Sequence, residues 1–268
     1  MPDQAVPAAR PGAAAPTPAP NDAPTVAMLY PGYAAEGDYP LAERLLGAAG
    51  PQVRLPVVHT SQDEDAHRID ALLDLGNDKR LADGAARAAG HRPQAVVWAC
   101  TSGSFVFGWE GAHRQVRTLG ESAGVPASST SLAFARAAAV LGVRQVAIAA
   151  TYPADVAEAF RQFLAGAGVE VTRLSSEGIV TAAEVGTLTE EAVVALVRAN
   201  DHPDAEAVLV PDTALHSIAW LPGLERAVGK PVLTANQVTI WEGLRLATGA
   251  TPTCPDLGTL FTRPPVAP

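Results

Sequence analysis

The chain has 268 residues, 48% of them hydrophobic and 18% charged, with a formal net charge of −9. That length can bury a sizeable core as one large domain or two smaller ones, and no apolar run approaches the roughly 20 residues needed to cross a bilayer. An acidic balance without a Lys/Arg cluster argues against nucleic acid as a partner, but leaves room for a small anion held by N–H and O–H donors.

The stretch 1–24 is rich in Ala and Pro, has one early Arg and lacks an apolar h-region, so it reads as a disordered leader rather than a signal peptide. The protein is therefore expected in the cytoplasm. From Thr25 onward, short apolar runs alternate with longer amphipathic stretches. Strands are expected at Val26–Tyr30, Val53–Val58, Ala95–Ala99, Gln145–Ala149, Glu170–Leu174, Ala205–Val210 and Pro231–Leu233. Helices are expected at Pro40–Ala49, Glu64–Ala89, Glu110–Ala123, Thr130–Leu141, Ala154–Ala167, Thr189–Ala199 and Gln237–Thr248. Strands alternating with helices imply parallel βαβ units and a layered α/β fold.

Two strand ends resemble each other: Ala95–Ala99 runs into Cys100-Thr101-Ser102, and Ala207–Pro211 into Asp212-Thr213-Ala214. The chain is therefore read as two pseudo-symmetric, Rossmann-like halves with mostly parallel four-stranded sheets and the active site in the cleft between them. The first half covers 25–127 and is completed by 235–262; the second covers 128–234; 263–268 is a tail.

Chemistry concentrates at Cys100. A thiol at the carboxyl end of a strand stands where open α/β sheets bind ligands, and the hydroxyls of Thr101, Ser102 and Ser104 follow it. Such donors, with backbone N–H groups, can hold a carboxylate or an enolate; the alternative is a buried structural cysteine. Cys254, flanked closely by Pro252 and Pro255, reads as incidental. Two cysteines make no disulfide framework, and six histidines without an H-x-x-x-H pair, in a chain without C-x-x-C, suggest no metal site. Nucleotide fingerprints are absent. A phosphatase loop would need an Arg where Val106 stands, and G-x-S-x-G is missing.

The segments Val97–Phe105, Gly142–Ala149 leading into Thr151–Val156, and Thr234–Gln237 before Trp241 resemble, in order and spacing, the maleate cis-trans isomerase and arylmalonate decarboxylase family of the aspartate/glutamate racemase superfamily. The resemblance runs from about Thr25 to Phe261. It implies a cofactor-independent enzyme, a homodimer or larger, acting on a small carboxylate or dicarboxylate. Cys100 matches the first-half cysteine that attacks the alkene in maleate isomerases. Thr101 and Ser102 match the pocket for a substrate carboxylate, Tyr152 a tyrosine bonded to that carboxylate, and Asn236 an asparagine near the second one. Tyr30 and Pro31 end the first strand, where the family lines its pocket, and Thr213 joins the binding residues beside Asp212.

The departure is Asp212, which stands where family members carry a second cysteine. It is either a buried general acid replacing that thiol or a structural cap on the N–H groups of Ala214 or Leu215. Tyr152 has a packing alternative, Asn236 an N-cap alternative, and His216 is either a cleft residue or an exposed helical one. Asp63-Glu64-Asp65 reads as an acidic helix start without chemistry. The activity expected first is cis-trans isomerisation of a maleate-like dicarboxylate by Cys100 thiolate addition. The alternatives are racemisation with Cys100 and Asp212 as the two proton donors, decarboxylation alpha to a carboxylate, for which the resemblance implies the second-half cysteine that Asp212 replaces, or carboxylate binding without turnover, as in ectoine-utilisation relatives.

Overall fold

The structure is a computed structural model that describes residues 23–262; most of the leader and the tail after 262 lie outside the described residues. In chain order the strands are β1 (Val26–Pro31), β2 (Val57–Thr60), β3 (Ala95–Trp98), β4 (Ala127–Ser129), β5 (Gln145–Ala150), β6 (Glu170–Ser176), β7 (Ala207–Val210) and β8 (Val232–Thr234). The helices are α1 (Asp38–Ala49), α2 (Ile69–Leu75), α3 (Asp78–Ala88), α4 (Ser102–Phe105), α5 (Gly108–Ala123), α6 (Thr130–Leu141), α7 (Ala154–Gly166), α8 (Ala182–Val185), α9 (Glu190–Asn200), α10 (Leu221–Val228) and α11 (Ala235–Thr248).

Two four-stranded sheets form, ordered β2-β1-β3-β4 and β6-β5-β7-β8. Every pairing is parallel, and the two orders repeat one pattern: second, first, third, fourth. The α/β architecture of two like halves expected from the sequence is thus the one observed. The inner strands are continuous apolar runs, VAMLYP in β1 and AVLV in β7, because helices cover both faces of a parallel sheet. Helix α11 lies on the first sheet. A Cβ on Gly243 would come within 2.5 Å of Val26 and 3.1 Å of Val97, so glycine permits the helix to approach that closely. Thr130 of α6 and Thr239 of α11 share a 2.6 Å hydrogen bond between buried hydroxyls, which couples the two helices.

The departures from the expected elements have physical causes. The strand expected at 53–58 begins at Val57 because Pro56 has no N–H for the ladder; before it only Arg54 bridges to Thr25. The helix expected over 64–89 starts at Ile69 and breaks at Gly76-Asn77, where the Asn77 side chain caps Arg80 N–H at 3.0 Å. Strand β4 was not expected because Ala-Ser-Ser carries no apolar signal, and α10 was not expected because Pro222 and Gly223 read as a loop. Pro is tolerated in a first helical turn, where its missing N–H costs nothing.

Candidate active site

The ends of β3 and β7 face one cavity. Cys100, Ser102, Asp212 and Thr213 line it, with Tyr30 and Pro31 from the end of β1. It offers about 30 Å³, the room of a water or two. A strap of residues 62–67 roofs it. The strap is fastened to the second half by four bonds. Asp65 carboxylate oxygens accept from Ala182 N–H at 2.8 Å and Ala183 N–H at 3.0 Å. His67 N–H donates to the Val180 carbonyl at 2.8 Å, and its Nδ1 meets the Ile179 carbonyl at 3.0 Å.

Asp63-Glu64-Asp65 therefore does not open its own helix. Asp63 pairs with Arg80 and Glu64 with Arg68, while Asp65 satisfies the first N–H groups of α8. A carboxylate at a helix start was the right chemistry, applied to a helix more than a hundred residues away.

Cys100 is buried and its sulfur accepts a 3.3 Å hydrogen bond from Gly103 N–H, with Ser102 Oγ at 3.9 Å. Burial pushes the thiol up to about 12; the Gly103 and Ser102 contacts oppose this and the Asp212 charge adds to it. The thiol consequently stays protonated at neutral pH. The turn that carries it is held from behind: the Gly103 carbonyl accepts from Trp98 Nε1 at 3.1 Å and Gln115 Nε2 at 2.9 Å. A Cβ on Gly76 would fall 2.1 Å from that carbonyl. Gly76→Ala is therefore expected to displace the α4 turn, cost about 1–3 kcal/mol by overpacking, and lower activity; denaturant unfolding and turnover of the variant check this.

Thr101 Oγ1 is buried without a hydrogen-bond partner. Thr101, like Tyr152, is not among the residues that wall the cavity. Tyr152 is buried near it; its OH donates to the Pro211 carbonyl, and burial, with the Asp212 and Cys100 charges, raises its pKa well above the ordinary value. Tyr30 OH donates to the Thr213 carbonyl at 2.9 Å and accepts from Ala35 N–H at 3.0 Å; desolvation raises its pKa too. Asp212 is buried with both oxygens engaged, by Thr151 Oγ1 at 2.5 Å and Ala214 N–H at 3.0 Å, while Leu215 N–H turns to the Asp212 backbone carbonyl.

Asn236 lies elsewhere. It is buried inside the first turn of α11, not at its N-cap, which is Thr234; Gln237 Oε1 accepts from Thr234 N–H at 3.2 Å. Its amide donates to Asp38 at 2.9 Å and to the Leu215 carbonyl at 3.2 Å and accepts from Tyr39 OH at 3.3 Å. These contacts tie α1, α11 and the 212–217 loop together, and Asn236 is not among the residues that wall the cavity. His216 sits in that loop, outside any helix, half-exposed, with Nδ1 3.7 Å from Asp38. The Asp38 carboxylate raises its pKa. A raised folded value means the pair's stabilisation is full below about pH 6.5 and is lost as pH climbs through that raised value. The excess in Tm of wild type over His216→Gln is expected to be largest at pH 5.5 and to shrink toward pH 8.5.

The sequence did not single out His67, which walls the cavity between the strap and Tyr152, their rings meeting edge-on at 4.9 Å. It lies in the irregular segment before α2, where no motif marks a residue. Cys254 is a core residue, buried near Phe261 rather than in a loose tail. Among the described residues no cluster of three or more His, Cys, Asp or Glu could hold a metal ion, and no helix is long and apolar enough to cross a membrane.

The family model for arylmalonate decarboxylase matches residues 76–261. An arylmalonate decarboxylase from Bordetella bronchiseptica is 33% identical over 143 residues, 53% of this chain; the match spans 60% of that relative's length. A crystal structure of arylmalonate decarboxylase superposes with a TM-score of 0.70 at 26% identity, covering 90% of this chain and 100% of that one. The maleate isomerase Iso from Pseudomonas putida S16 superposes at 0.78 with 18% identity, covering 90% and 99%, a likeness of fold. With two like parallel sheets and a thiol at the end of β3, the chain belongs to the arylmalonate decarboxylase family, consistent with the Asp/Glu racemase superfamily.

Proposed function

We propose that the protein is a cofactor-independent decarboxylase of a small malonate-type acid, with Cys100 as the proton donor. The observation that carries this reading is the buried Cys100 thiol on the wall of the cavity, its pKa raised by desolvation. Ser102 and Thr213, which line the cavity beside Cys100, hold the carboxylate that remains, with Thr101 and Tyr152 buried behind that turn. The bond from the α-carbon to the other carboxylate breaks, CO₂ leaves, and the electron pair spreads into the retained carboxylate as an enediolate. The Cys100 S–H proton then forms the new C–H bond, and the thiolate regains a proton from solvent. An acid that must hold its proton until the carbanion exists benefits from a raised pKa.

Isomerisation of a maleate-like acid, the reaction favoured by the sequence reading, requires the thiolate to add to the alkene. Burial works against that form of Cys100, and Asn236, the residue meant for the second carboxylate, is engaged with Asp38. Racemisation is the second reading, favoured by one observation: Cys100 and Asp212 end equivalent strands and line one cavity, so one could act on each face of a carbon. A single NMR assay in D₂O separates these. Decarboxylation gives a monoacid carrying one solvent deuteron from a malonate; isomerisation gives fumarate from maleate; racemisation exchanges the α-hydrogen without loss of CO₂. No turnover of any substituted malonate would defeat the leading reading.

A further inference from the structure

Part of the cavity wall is polar. Gln62, Glu64, Asp65 and His67 contribute to it, against the aliphatic side chains of Leu72 and Leu75. No Lys or Arg is among the residues lining it. His67 is the imidazole on this wall, and one of its ring nitrogens is held by a hydrogen bond. Its Nδ1 lies 3.0 Å from the Ile179 carbonyl, which can only accept, so Nδ1 carries a proton, and in the neutral ring Nε2 is then the acceptor. The ring is clamped in that pose by its own backbone N–H on Val180 and by the edge-on contact with Tyr152. The charged groups around it are Glu64, Asp65 and Arg68 on its own segment and Asp212 across the cavity; Glu64 is paired with Arg68, and Asp65 is bound to α8.

We propose that His67 determines specificity by accepting, at Nε2, a hydrogen bond from a hydroxyl or ammonium substituent on the substrate's α-carbon, so that the preferred acids are hydroxy- or amino-malonates rather than aryl-malonates. This rests on the decarboxylase reading of the same cavity. A donor on the substituent is matched by Nε2 and favoured by the surrounding carboxylates. A phenyl ring offers Nε2 no hydrogen-bond donor and, against a wall that is polar in large part, gains little apolar surface in exchange. Sites built to pair with a substrate OH or NH reject analogues lacking it far more strongly than apolar pockets reject an extra group.

The test compares hydroxymalonate, aminomalonate, methylmalonate and phenylmalonate by kcat/KM and, separately, by equilibrium binding, in wild type, His67→Leu and His67→Gln. Wild type is expected to prefer hydroxymalonate and aminomalonate over methylmalonate by about tenfold or more. His67→Leu is expected to erase that ratio, and His67→Gln, whose amide oxygen accepts, to restore part of it. Aminomalonate is the sharper probe because its ammonium can only donate; rejection of it alongside acceptance of hydroxymalonate would overturn the acceptor role. A ratio unchanged in His67→Leu, or a wild-type preference for phenylmalonate, would overturn the inference while the decarboxylase reading stands. Binding that keeps the preference without turnover of any malonate supports the inference and sinks that reading instead. Circular dichroism and Tm of the two variants separate loss of fold from loss of selectivity.

Discussion

Cys100→Ser is expected to lower turnover by 10²–10⁴-fold while leaving substrate binding within a few-fold of wild type. The range is that of a positioned general acid, and each factor of ten corresponds to about 1.4 kcal/mol of barrier. Serine keeps the size and the Gly103 N–H contact but is a much weaker acid, so the carbanion loses its proton source and not its carboxylate pocket. The pH profile adds a second arm. With the thiol pushed up to about 12, a reaction that needs S–H has no Cys100-dependent change between pH 6 and 9. A reaction that needs the thiolate rises about tenfold per pH unit over that window, since the ionised fraction does. A steep rise would move the assignment from proton donor to nucleophile, and full activity in Cys100→Ser would remove the residue from the chemistry.

Asp38→Ala is expected to be the most destabilising of the single substitutions considered. One Asp38 oxygen, Oδ2, accepts from Ser217 N–H at 2.9 Å, Ile218 N–H at 3.3 Å and Asn236 Nδ2 at 2.9 Å. All of these groups are buried, and each one left unpaired costs about 1–3 kcal/mol. Allowing for relaxation, a loss of about 3–5 kcal/mol and a fall in Tm of roughly 10 °C follow. Asp38→Asn keeps an acceptor oxygen and should lose less. Because the hub joins α1 to the loop after Asp212, the alanine variant should also lose activity through a misplaced 212–215 turn. A Tm within a degree or two of wild type would mean that these donors find other partners.

The layered fold was legible because its signals are local. The run Val26–Tyr30 is apolar throughout, as a central parallel strand must be. Gly142, at φ 72°, ends α6 where the helical pattern stops. The resemblance carried by Val97–Phe105 and Thr234–Gln237 led to the right family. What escaped was set by partners distant in sequence. Strand β4 has no apolar pattern of its own and exists because Val96–Trp98 offers it a ladder. Asp65 looked like the start of a nearby helix because a carboxylate carries no label for which N–H groups it will meet.

The site divides in the same way. The order of residues along the chain put Cys100 and Asp212 at the ends of like strands, and both line the cavity, while the reading of Asp212 in place of a second thiol and of Tyr152 beside a carboxylate came from the resemblance. It could not tell a residue that faces the cavity from one that stands behind it. Asn236 and His67 show the difference: the first is drawn into a hydrogen-bonded hub with Asp38 and Tyr39, and the second is carried over the cavity by a strap bound to the other half. Burial is likewise a property of the assembled core. Desolvation in a cluster gathered from β1, β2, β3, α3 and α5 raises the pKa of the Cys100 thiol.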